Sequence, residues 1–270
     1  MLQQLVAEIE GCVQEDPANR QEDGVTPYFD APLVGVAAAA DPLFAAYRQH
    51  IGPFYLTPEQ ILPGAMAVLC WVLPLAEKTR VSNRPETIFP SRAWARTRDL
   101  GETFNVHLRR HLVGWLTARG FRAVAPQLSP HWQAVEVEST GPSSNWSERH
   151  AAFAAGLGTF SLNDGLITAK GIAHRLGSIV TDAPLPSTLR PYSDYRGYCL
   201  RFHDGRCGAC IARCPVGALS DSGHDKFLCR DYVYGAVPEA VAEKYGIKAT
   251  GCGLCQTRVP CEAGIPKGIG

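Results

Sequence analysis

Eight of the ten cysteines in this 270-residue chain fall within its last 72 positions, and only Cys12 and Cys70 lie outside that stretch. Cys207, Cys210 and Cys214 stand in a C-x2-C-x3-C-P frame that ends at Pro215, with Cys199 eight positions ahead of Cys207. A second group mirrors the first: Cys252 and Cys255 form another C-x2-C, Cys261 follows Pro260, and Cys229 leads as Cys199 does. Such crowding means disulfides in an oxidising compartment or metal ligation in a reducing one. The opening Met-Leu-Gln-Gln-Leu-Val-Ala-Glu-Ile-Glu lacks the basic flank and unbroken apolar run of a secretion signal. No apolar run approaches the about 18 residues of a membrane span. A cytoplasmic protein without membrane segments is therefore expected, with its cysteines as metal ligands.

The spacing resembles the bacterial ferredoxin run C-x2-C-x2-C-x3-C-P, in which three thiolates hold one [4Fe–4S] cube and the fourth reaches a second cube. Asp204 stands where that run has its first cysteine, and Cys199 is the substitute. Paired as ferredoxins pair them, Cys199, Cys207, Cys210 and Cys261 hold one cube, and Cys229, Cys252, Cys255 and Cys214 the other. Soft sulfur suits iron and sulfide, and Pro215 and Pro260 turn the chain beside the ligands. Ile211, Val216, Ala218 and Leu219 are expected to keep water away. The competing reading is a single zinc on Cys207, Cys210, Cys252 and Cys255. It leaves the other four cysteines without a role, whereas two cubes use all eight.

With 46% hydrophobic residues, and Lys plus Arg balancing Asp plus Glu at 26 each, the chain can bury a large core and carries no summed field for nucleic acid or anionic membrane. Leu2, Leu5, Val6 and Ile9 predict a helix over 1–15. Residues 33–40 read as a short strand or the start of a helix, and 43–50 as a helix. Ala65 to Leu73 is a continuous apolar run closed by Pro74, the pattern of a central strand buried on both faces. Residues 75–90 read as a polar loop, either lining a site or running over the surface. From Ser91 to Arg119, Leu100, Phe104, Leu108, Leu112, Trp115 and Leu116 form one helical stripe that Gly120 ends. His107 and His111, four apart on that helix, could share a metal but have no third ligand in view.

Residues 121–125 and 132–138 read as strands, Gly141-Pro142 as a turn, and Asn145 as the N-cap of a helix that stops at Gly156. Short strands follow at 166–168 and 176–181, and Pro184-Leu-Pro186 marks a boundary. The prediction is an α/β layered domain over 1–190 and a small cysteine domain over 191–270. Cys70, inside the apolar strand, reads as a small buried hydrophobe. Gly156-Leu-Gly158 follows a helix and lacks a third glycine, so the dinucleotide fingerprint fails. No Walker loop, H-E-x-x-H or G-x-S-x-G occurs.

Ser147-Glu-Arg-His-Ala-Ala-Phe-Ala-Ala-Gly-Leu-Gly158, Asn163, Leu166-Ile-Thr168 and Leu176-Gly-Ser-Ile-Val-Thr-Asp182, followed by the cysteines, resemble epoxyqueuosine reductases and corrinoid reductive dehalogenases, over roughly residues 130–262. The resemblance implies an α+β or α/β fold: a nitroreductase-like α/β sandwich that binds cobalamin, then a bacterial-ferredoxin-like domain with two [4Fe–4S] clusters. It implies an oxidoreductase, handled anaerobically, in which a reduced ferredoxin or flavodoxin feeds single electrons through the clusters to a corrinoid or a substrate. The acceptor would be a small molecule or a corrinoid protein. Gly156, Gly158, Asn163 and Thr168 are the implied cofactor contacts, although the two glycines equally suit the end of a helix.

Epoxyqueuosine reductases keep an aspartate ahead of the G-P turn, where this chain reads Val137-Glu-Ser-Thr-Gly-Pro142. Glu138 is the nearest acid and the candidate proton donor, with a raised pKa if Trp132 and Val137 shield it. Three extra residues between Pro142 and Glu148 reshape this loop. The helical repeats of many epoxyqueuosine reductases have no counterpart after Cys261 and the net charge is zero, so nucleic acid is not an expected partner. The twin-arginine leader of an exported dehalogenase is also not seen. Two other readings are an electron-transfer or reactivating partner of a corrinoid protein without a cofactor of its own, and a flavin enzyme on the same scaffold.

Overall fold

The computed structural model describes residues 1–248 and 251–269. Helix α1 (Leu2–Glu15) leads to strand β1 (Leu33–Ala38), helix α2 (Pro42–His50), the single turn α3 (Pro58–Ile61) and strand β2 (Ala67–Pro74). Helices α4 (Glu77–Asn83) and α5 (Arg92–Thr117), strand β3 (Ala123–Val124) and the hairpin β4 (Ala134–Val137) and β5 (Gly141–Ser144) follow. Helix α6 (Glu148–Ala154), the hairpin β6 (Gly158–Phe160) and β7 (Leu166–Thr168), and strand β8 (His174–Thr181) complete the first part.

All eight residues of β2 are buried, because the sheet it centres is covered on both sides. The sheet has the order β1-β2-β8-β3, and every neighbouring pair is antiparallel, with Cys70 opposite Gly35 on β1 and Ser178 on β8. Strand alternation sends Ala67, Leu69, Trp71 and Leu73 to one face, where Leu5 and Ile9 of α1 and Phe104, Leu108 and Leu112 of α5 meet them. Val68, Cys70 and Val72 go to the other, against Phe44 and Tyr47 of α2 and Ala151 to Phe153 of α6. Each large aliphatic side chain buried here contributes about 1.5–3 kcal/mol relative to exposure. The result is a helix–sheet–helix sandwich, the central strand being the one its apolar run predicted.

Four local expectations need correction. Residues 75–90 are not an unstructured loop but contain α4. Strand β4 does not join the sheet; it pairs only with β5, and its outward residues Ala134 and Glu136 are exposed. The N-cap of α6 is Ser147, whose side chain accepts from His150 N, while Asn145 ties the hairpin base through Gln133 N and His131 O. Leu100 lies at the margin of the α5 stripe, and the same helix buries Asn105 and Arg109 among its apolar residues.

The cysteine region contains the turns α7 (Leu200–His203) and α8 (Ala209–Ala212) and the small hairpin β9 (Leu219–Ser220) and β10 (Gly223–His224). Helix α9 (Lys226–Asp231) then continues through a π-helical stretch, Tyr232–Ala236, into α10 (Val237–Tyr245). The segment around α4 fastens this region to the sandwich. Arg213 donates to the carbonyls of Glu86 and Asn83, Asn83 Nδ2 to Thr257 Oγ1, and Tyr232 OH to the Ile88 carbonyl. Arg84 forks onto the buried Glu262 carboxylate at 2.8–3.2 Å. Among the described residues no helix is long and apolar enough to cross a membrane.

Candidate redox site and adjoining cleft

Folding sorts the eight cysteines into two fours. Cys199, Cys207, Cys210 and Cys261 line one cavity, walled by Ile167 and Val259. Cys214, Cys229, Cys252 and Cys255 line a second, of about 350 Å³. The fours are crossed: Cys214 leaves its sequence neighbours for the later group, and Cys261 joins the earlier one. Burial, reinforced by neighbouring thiolates, pushes Cys210 up to about 11 and Cys252 and Cys261 up to about 12, and holds Cys255 well above its ordinary value. Soft sulfur in fours is the donor set of an iron–sulfur cube.

The ligand turns are held from below. Gly253, between Cys252 and Cys255, has φ +61°, and a Cβ on it would fall 1.9 Å from the ring of buried Trp94. Arg213, one residue before Cys214, donates Nε to the carbonyls of Leu254 and Thr257, both at 3.1 Å, and so locks the second ligand turn beside the first. Asn163 lines both cysteine cavities, and its Nδ2 donates to the Cys255 carbonyl at 3.0 Å.

A cleft of about 350 Å³ opens between α6, β8 and the cysteine region. Arg149, Asn163, His174, Arg175 and Gln256 line this cleft and also the Cys214 cavity, so the two spaces share a wall. His174 Nε2 donates to the Leu166 carbonyl at 2.7 Å, and its Nδ1 has no partner among the described residues. Burial lowers this imidazole to about 4, which leaves it neutral and Nδ1 a free acceptor.

Beneath the cleft runs a chain of charges. Arg109, only 1% exposed, donates to Glu102 at 2.8 Å, to the Leu176 carbonyl at 3.0 Å and to Glu148 at 3.4 Å. Glu102 also receives the Arg175 fork. Burial acts against the Glu102 charge, yet Arg175 and Arg109 outweigh it and hold the carboxylate down at about 2. Glu148 differs: burial raises it more than Arg109 lowers it, and its Oε2 lacks a hydrogen-bond partner among the described residues. It is the carboxyl group that lines the cleft.

Several residues expected at the site lie elsewhere. Glu138 sits exposed on the β4–β5 turn, so the shielding expected of it is not found. Gly156 and Gly158 face neither cleft nor cavity; a Cβ on them would strike the chain's own carbonyls, Leu189 O at 2.4 Å and Ile167 O at 2.1 Å. Their close packing serves the polypeptide rather than a cofactor. Thr168 is fully buried and closes a turn with the Gly171 carbonyl at 2.9 Å. Of the four implied cofactor contacts only Asn163 lines the cleft. Glu148 reads in the sequence as an acid in the first turn of a helix and as part of the Ser147–Gly158 motif, with no role of its own, and His174 and Arg175 give no signal beyond a strand end.

Two fours of thiols beside an α/β sandwich define the class, an iron–sulfur redox protein. No family model matches the chain. Epoxyqueuosine reductase of Bacillus cereus is 28% identical over 218 residues, covering 77% of this chain and 51% of the relative. That of Gloeobacter violaceus is 30% identical over 217 residues, 75% of this chain and 58% of the relative. The chain thus spans about half the length of these curated relatives. Among solved structures, epoxyqueuosine reductase with an epoxyqueuosine-modified tRNA stem loop superposes with TM-score 0.58 at 19% identity, over 100% of this chain and 67% of that one. A reductive dehalogenase described as B12-dependent gives TM-score 0.52 at 15% identity, over 87% of this chain and 30% of that one. The chain is similar in sequence to epoxyqueuosine reductases and shares its fold with them and with reductive dehalogenases. The tRNA-bound neighbour runs against the expectation that nucleic acid is not a partner.

Proposed function

We propose that this chain is an iron–sulfur reductase that passes single electrons through two [4Fe–4S] clusters into the cleft, which takes cobalamin and, beside it, a modified nucleoside of tRNA bearing an epoxide. The observation that carries this reading is the shared wall: a four-thiol cavity lies against a cleft lined by orphaned polar atoms and two tryptophans, with five residues lining both. When bound, cobalamin would supply a cobalt centre that takes up electrons one at a time. His174 Nδ1 suits a hydrogen bond from a corrin side-chain amide. Trp132, 37% exposed at the cleft, offers a stacking face for a base, and the exposed Arg149 a cation for phosphate. Reduction of an epoxide also needs protons, and Glu148, whose hold on a proton burial strengthens, lines the cleft where it can deliver one. A cleft belonging to the chain itself favours this reading over a cofactor-free electron-transfer partner.

The test uses anaerobically reconstituted chain, cobalamin, a reduced flavodoxin-type donor and a tRNA stem loop carrying epoxyqueuosine, with the nucleoside product read by mass. Product should require cobalamin, and Glu148→Gln should lower turnover by roughly 10²–10⁴ while iron and cobalamin are retained. A chain that holds its iron but neither retains cobalamin nor converts the stem loop sinks the proposal.

A further inference from the structure

Two residues stand outside the redox site: Cys12, which is no part of either thiol four, and His111, whose pairing with His107 offered no third ligand. The fold brings them together. Glu8 and Cys12 lie one turn apart on α1, and α5 sets His111 against them, with Nε2 2.5 Å from Glu8 Oε1. A carboxylate oxygen of Glu8, Cys12 Sγ and a ring nitrogen of His111 all lie within 4.8 Å of one another. His107 takes no part and lines a separate hollow with Arg98 and Arg110. Glu8 and Cys12 open on a surface hollow of about 380 Å³ with Glu15 and Asp16 on its rim.

We propose that Glu8, Cys12 and His111 form a binding site for a divalent transition metal of the zinc type, with the fourth position left to water. Sulfur, imidazole and carboxylate at three protein positions are zinc ligands, and the soft pair disfavours magnesium and calcium. Leu5, Ile9 and Val13 bury the other face of α1 in the main core, so both helices are fixed and the donors close in by side-chain rotation. Burial, and then the carboxylates of Glu8, Asp16 and Glu15, push the Cys12 thiol up to about 11. The carboxylates of Glu8, Glu15 and Asp16 around this hollow also attract a dication.

The experiment uses the holoprotein, clusters in place, with Zn²⁺ as the probe. After equilibration and gel filtration, the parent should retain about one zinc per chain with iron unchanged, and Cys12→Ser and His111→Ala should retain none. Cys70 is fully buried, so Cys12 is the accessible thiol outside the cluster set among the described residues. Zinc should slow its alkylation by iodoacetamide, read by peptide mass, by at least about tenfold. His111→Ala should abolish that protection while leaving the thiol in place. Zinc that fails to bind, binds equally to both variants, enters only as iron leaves, or leaves the alkylation rate unchanged overturns the site.

Discussion

Gly208 and Gly253 occupy the same place in the two C-x2-C turns, yet replacing each by alanine should have opposite results. At Gly208, with φ −133°, an added Cβ meets nothing within 4 Å. At Gly253, φ is +61° and the Cβ would lie 1.9 Å from the Trp94 ring, far inside van der Waals contact. Trp94 is 4% exposed and packed in the main core, so it cannot swing aside. Left-handed backbone costs an L-residue roughly 1–2 kcal/mol. Overpacking a core adds about 1–3 kcal/mol, for a total of about 2–5 kcal/mol. At 1.36 kcal/mol per decade, this is roughly a 30- to 5,000-fold loss in the fraction of chains holding the Cys252–Cys255 turn. Iron and sulfide analysis of the reconstituted variants reads the outcome. Gly208→Ala should keep about eight irons, and Gly253→Ala about four, from the centre opposite. Far-UV circular dichroism should show the sandwich intact in both. Full iron in Gly253→Ala, or equal loss in the two variants, refutes the reasoning.

Glu138→Gln, on an exposed turn, should leave turnover within about twofold, whereas Glu148→Gln should cost roughly 10²–10⁴, both read from single-turnover product formation. Glu102 is held down at about 2, so its ion pairs are fully in place above the unfolded-state value of 4.5 and are lost as pH falls through 2. Acid unfolding should therefore steepen below pH 4.5, with about 3 kcal/mol at stake, and Glu102→Gln should flatten that limb in a pH-resolved denaturant series. Cys70→Ala should keep all its iron and lower stability by about 1 kcal/mol, measured by urea unfolding, since Cys70 only fills the core.

What could be read from the sequence was what short-range covalent spacing or strict periodicity determines. Ligand turns are local, so the cysteine fours could be written from C-x2-C spacing and the ferredoxin pattern. Strand β2 announced itself because burial on both faces removes all polar alternation. Three features depend on tertiary packing and were hidden. Helix α4 is short and polar, and reads as a loop until its last carbonyl, that of Asn83, is seen to receive Arg213. Arg109 and Glu102 look like solvated charges on an amphipathic helix, although they sit under the cleft as an ion pair with the arginine buried. Between Glu138 and Glu148, only the fold decides which carboxyl is enclosed, because the β4–β5 hairpin leaves the sheet and carries Glu138 out with it.

The central claim, two cubes with crossed ligands, is tested most directly by comparing the low-temperature electron paramagnetic resonance of three reduced variants: Cys207→Ser, Cys214→Ser and Cys252→Ser. Each starts from a parent expected to carry about eight irons and eight sulfides. Cys214→Ser should lose or alter the same centre as Cys252→Ser and leave the Cys207 centre untouched, because Cys214 lines the cavity of Cys229, Cys252 and Cys255. Stoichiometric zinc without sulfide in the parent, or a Cys214→Ser spectrum matching that of Cys207→Ser, contradicts it.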